Sequence, residues 1–88
     1  HYNLGNILKD IGKLKEAENS YRKAIELKPD LADFHSNLGN TLKDLGKLEE
    51  AKISTIKAIK LNPNFVYAHS NLGLILKDLL SINLSFLH

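Results

Sequence analysis

The sequence predicts an all-α protein, an α-solenoid of stacked antiparallel helix hairpins about two and a half units long, and three observations predict it. The hexamer His35-Ser36-Asn37-Leu38-Gly39-Asn40 occurs also as His1-Tyr2-Asn3-Leu4-Gly5-Asn6 and as His69-Ser70-Asn71-Leu72-Gly73-Leu74, a step of 34 residues each time. An exact period of this length is the signature of a stacked repeat. Inside each copy the apolar residues fall at helical spacing, and glycine or proline stands where one helical segment ends and the next begins. The chain therefore divides as one array over 1–88, with a first repeat at 1–34, a second at 35–68 and a truncated third or capping segment at 69–88.

In the first copy Leu4, Ile7, Leu8 and Ile11 recur at helical spacing and Gly12 follows, which predicts a helix over 1–11 and a turn at the glycine. Leu14, Ala17, Tyr21, Ala24, Ile25 and Leu27 form the stripe of a second helix, which Pro29 ends. About two residues separate the segments, so they are expected to fold back as a hairpin. Small residues at Gly5, Ala17 and Ala24, recurring as Gly39, Ala51 and Ala58, are expected where helices approach closely. The second copy predicts helices over 31–45 and 48–61, with Asp30 or Asp33 as the N-terminal cap, Gly46 at the turn and Pro63 as the stop. In the third copy a helix over 65–79 is expected. There Leu80 stands in place of the turn glycine, so the last segment is expected to begin a second helix without completing it.

Composition narrows the function. A net charge of +2, with lysines interleaved among acidic residues, argues against nucleic acid as a partner. The absence of cysteine removes disulfide frameworks and thiolate chemistry and fits a reducing compartment, so the expected location is cytoplasmic. No apolar run reaches the roughly 18 residues that span a membrane. No nucleophile elbow, phosphate loop or metalloprotease motif appears, so neither an enzyme nor a cofactor site is expected.

Three sets of polar residues remain. Asn3, Asn6 and Asp10, repeated as Asn37, Asn40 and Asp44, share one helix face away from the leucines. An amide both donates and accepts, which suits recognition of a peptide main chain whatever its sequence. The histidines at 1, 35 and 69 invite a metal, but stacked helices stand about 8–10 Å apart, too far for successive repeats to share one ion. No metal site is expected, and partial burial between repeats is expected instead. Lys9, Lys43 and Lys77, each followed by aspartate, are expected to pair locally in solvent.

The positions Leu4-Gly5, Leu8, Gly12, Leu14, Ala17, Tyr21, Ala24 and Pro29, met again as Leu38-Gly39, Leu42, Gly46, Leu48, Ala51, Ala58 and Pro63, resemble the tetratricopeptide repeat signature. The histidines stand where that family usually carries a large apolar residue, Thr55 stands where Tyr21 does, and Leu80 replaces a turn glycine. The run Asn-Leu-Gly-Asn looks most like the arrays of O-linked N-acetylglucosamine transferase-like proteins. That resemblance implies an asparagine ladder holding the main chain of an extended peptide through Asn3, Asn37 and Asn71, with Asn6, Asn40 and Tyr67 nearby. The branch of the family that grips a terminal carboxylate uses basic residues there, and this sequence has none.

The expected function is a protein–protein interaction scaffold binding an extended peptide or protein segment. The alternative is a non-catalytic assembly element that self-associates through its apolar end, Leu79, Leu80, Ile82, Leu84, Phe86 and Leu87. A solenoid ordinarily finishes on a polar outer face, so this cluster predicts a homodimer, end to end or with the last segment exchanged.

Overall fold

The computed structural model describes residues 4–87, with side chains from residue 9 to residue 84. Among these residues there are four α-helices and no strand: α1 (Leu4–Leu27), α2 (Ala32–Asp44), α3 (Leu48–Leu61) and α4 (Val66–Leu87). The all-α repeat architecture is the one the period predicts.

The pair α2–α3 is a closed antiparallel hairpin, and the sequence of its turn explains why. Gly46 takes φ +81°, a conformation nearly free of cost only to glycine. That turn lets Lys47 N donate to Leu42 O at 2.8 Å and Gly46 N to Lys43 O at 2.9 Å, closing the C-terminus of α2 in a Schellman arrangement. Where the helices cross, a Cβ on Gly39 would collide with Thr55 Oγ1 and stand 3.3 Å from the Ala51 carbonyl. The glycine is thus required by close approach. The cap of α2 is Leu31, with no side-chain hydrogen bond, and Asp33 instead sits in the first turn, where its charge complements the helix dipole. Neither Asp30 nor Asp33 caps the helix as expected from sequence.

The core is centred on this hairpin. Leu38, Leu42, Ala51 and Ile75 form the buried cluster, with Tyr21, Ile25 and Leu79 packed against it. Ala58 and Ala68 are also fully buried, and Ile59 is partly so. Replacing tyrosine by threonine at position 55 leaves a small, fully buried side chain that admits Gly39.

Two expectations fail at the ends. The first copy does not turn at Gly12: α1 runs straight for 24 residues, through a glycine with nothing within 4 Å of where its Cβ would lie. A glycine permits a reversal without compelling one, and inside a helix it costs only about 1 kcal/mol relative to alanine. The reversal repays its entropy when the returning helix is packed. In the second copy α2 lies between α1 and α3, whereas the segment before Gly12 has no helix preceding it among the described residues. In the third copy Leu80 cannot adopt positive φ cheaply, and α4 continues without a break to Leu87 rather than starting a second helix.

The array is also stapled by ions and imidazoles. Glu18 of α1, almost fully buried, accepts from Arg22 Nε at 2.9 Å and from Lys47 Nζ at 3.2 Å, tying α1 to the turn of the hairpin. The Arg22 hydrogen bond is the main reason that its carboxyl titrates below the ordinary glutamate range, with burial opposing and Lys47 adding to the effect.

Candidate functional site

The helix spacing of α2 sets Asn37 and Asn40 on a face with Asp33 and Asp44, away from the buried Leu38 and Leu42. Both asparagines are half-exposed, and among the described residues neither amide side chain has a hydrogen-bond partner. The helix beneath them is braced by Thr41, whose Oγ1 donates to the Asn37 carbonyl at 3.0 Å. The helices α2 and α4 touch, so the second and third copies lie side by side. Tyr67 on α4 is exposed, its ring tilted against Phe65 with centroids 6.1 Å apart.

Asn71 behaves differently from its counterpart Asn37. It is 4% exposed, and its Nδ2 is buried with no partner. An unpaired buried donor costs roughly 1–3 kcal/mol, so this amide is a strained part of the packing. The first copy stands apart again. Asn6 belongs to α1, where a rise of about 1.5 Å per residue carries it about 24 Å along the axis from Arg22, the part of α1 that faces α2. Its side chain, and all of Asn3, lie outside the described residues.

The histidines have a structural task. His35 Nε2 is 2.8 Å from the Pro29 carbonyl, and His69 Nε2 is 2.7 Å from the Pro63 carbonyl. A carbonyl only accepts, so the ring N–H donates and each imidazole holds the proline turn before its own helix. His35 is buried as expected, but His69 is exposed, because no helix follows α4 to cover it among the described residues. Among those residues no group of side chains has the arrangement of a metal site. Lys43 and Lys77 form no ion pair among the described residues, so the local pairing expected of them is absent.

Sequence reasoning missed a second feature. A groove of about 550 Å³ opens between α1 and α3 over α2, with Ile25, Leu38 and Ile53 as its apolar lining and Arg22, Glu50 and Lys57 among its charges. It uses a different face of α2 from Asn37 and Asn40. The available signal was Ile53, an exposed isoleucine standing where the first copy has Asn19.

Two family models match the chain: one described as TPR repeat over residues 5–46, the other as Tetratricopeptide repeat over residues 32–65, together spanning 5–65. No curated protein matches it as a relative. Among the described residues no helix is long and apolar enough to cross a membrane.

Proposed function

We propose that this chain, whose repeats match tetratricopeptide repeat models across residues 5–65, holds an extended peptide segment by its main chain through Asn37 and Asn40; repeats of this kind generally mediate protein–protein interaction. The observation that carries this reading is the pair of partly exposed, unpaired amides on the closed α2–α3 hairpin. Ordered helices present such groups with little entropy left to lose on binding. Tyr67 supplies an exposed aromatic surface on the neighbouring helix, whereas Asn71, buried in this structure, is the rung least open to a ligand. This arrangement follows the asparagine ladder of the O-linked N-acetylglucosamine transferase-like arrays, reduced to the two copies that stack here.

The test uses peptides selected from a random display library against the whole chain. One neutral hydrogen bond is worth roughly 0.5–1.5 kcal/mol, so Asn37→Ala is expected to weaken the selected peptides by a few-fold to about tenfold, with melting unchanged. Binding is expected to survive moderate salt. Affinity that collapses with salt while the asparagine variants bind normally would move the site to Lys9, Lys43 and Lys77.

A second reading, an assembly element, is favoured by the exposed apolar residues of α4, Leu80, Ile82 and Leu84; Leu79 of the expected cluster instead packs against the core, and the side chains of Phe86 and Leu87 lie outside the described residues.

A further inference from the structure

We propose that α4 pairs antiparallel with the α4 of a second copy of this chain, about a two-fold axis at Leu80, so that each copy covers the α4 face that is left exposed in the other among the described residues. The inference rests on the assembly reading and gives it a register.

The surface in question is defined by comparison with the second copy. Leu42 of α2 is 1% exposed, whereas its equivalent Leu76 of α4 is 46% exposed. Ser36 and Gly39 are buried, while Ser70 and Gly73 are exposed. In the second copy α3 covers this face, with Ala51 and Thr55 against Gly39. In the third copy the covering segment runs straight on as the C-terminal part of α4, and a Cβ at Gly73 would meet nothing within 4 Å. The face that takes the returning helix in the second copy is thus left exposed in the third.

The occupant follows from the residues. Val66, Gly73, Leu76, Leu80 and Leu84 fall at steps of seven, three and four, one stripe along the whole helix, and Leu80 at 59% and Leu84 at 47% are exposed. Lys77 and Asp78 are the only charged residues of α4, so two copies meet without blocks of like charge. The internal hairpin also sets the register. Moving its Gly39 contacts on by one 34-residue period centres an antiparallel pairing on residues 79–81. Leu80 then faces Leu80 of the partner subunit, and Leu76 faces Leu84 of the partner subunit. Such a pairing is isologous and closes on itself, so it ends at a dimer. Ile82, 47% exposed like Leu84, lies on the opposite side of the helix and outside the seam.

The experiment uses the full chain, which contains no cysteine. Sedimentation over a wide concentration series is expected to show twice the chain mass. Leu80→Cys is expected to form a disulfide-linked dimer on mild oxidation, while Leu74→Cys, exposed on another side of α4, stays monomeric in a denaturing gel. Leu80→Glu places two like charges on the axis and is expected to abolish the dimer, whereas Ile82→Glu leaves it intact, circular dichroism reporting helix content throughout. A chain that stays monomeric overturns both the assembly reading and this proposal. A dimer in which Leu74→Cys and Leu80→Cys cross-link alike, or which Ile82→Glu dissolves as readily as Leu80→Glu, overturns the register while leaving the assembly reading in place.

Discussion

At the scale of single residues, the glycines divide by what surrounds them. Gly39 has Thr55 Oγ1 and the Ala51 carbonyl where a Cβ would go; Thr55 is fully buried and the carbonyl belongs to the backbone. Gly39→Ala is expected to destabilise the fold by about 1–3 kcal/mol through overpacking, outweighing the gain of up to about 1 kcal/mol in helix propensity. Thermal melting reads the sign, and a more stable variant would disprove the close crossing. Gly12 has open space around it and a helical backbone. Gly12→Ala is therefore expected to stabilise the chain by up to about 1 kcal/mol. Had Gly12 the positive φ of Gly46, the same change would destabilise it, so this one substitution distinguishes a straight α1 from a turned one. The roles of glycine were legible in the repeat only as small-residue positions. Whether a given copy turns depends on what packs against it, and Ile11-Gly12-Lys13-Leu14 and Leu45-Gly46-Lys47-Leu48 differ too little to tell.

At the scale of the elements, the closed hairpin is the part that the sequence specified most fully. The observed α2 and α3 lie within one residue of the ranges the periodicity predicts, because helix spacing, turn glycine and stopping proline agree there. Leu38, Leu42, Ala51 and Ala58 are buried, while Ile59, which the flanked second copy also leads one to expect in the core, is only half-buried. Ala58→Leu is expected to cost about 1–3 kcal/mol in a denaturant titration, since Ala58 has no exposed surface. The attachment of α1 was not legible, because a cross-element ion pair has no local pattern. Glu18 has its folded-state pKa lowered, chiefly by Arg22, so its contribution is present above the ordinary glutamate value and is lost as pH falls through the folded value. The stability advantage of the wild-type chain over Glu18→Gln is expected at neutral pH and to vanish in acid. A difference independent of pH would show that Glu18 acts through packing alone.

At the scale of the whole molecule, the period specified the family and the stacking, while the ends followed their own packing. Leu80 in place of a turn glycine foretold an irregular third copy, but not a helix that continues unbroken to Leu87. The candidate site shows the same limit: Asn37 and Asn71 are identical in register, yet one is available and the other buried. The central claim is that the half-exposed amides of α2 contact an extended ligand. The most direct measurement is a nitrogen-15 resolved titration of the chain with a display-selected peptide, following the side-chain NH2 signals. The account predicts that the Asn37 and Asn40 signals move first and saturate with the peptide, while the residues around Ile25 and Ile53 stay still. Shifts confined to Ile25, His35 and Ile53, with both asparagine signals unmoved, would contradict it and place the peptide in the groove between α1 and α3.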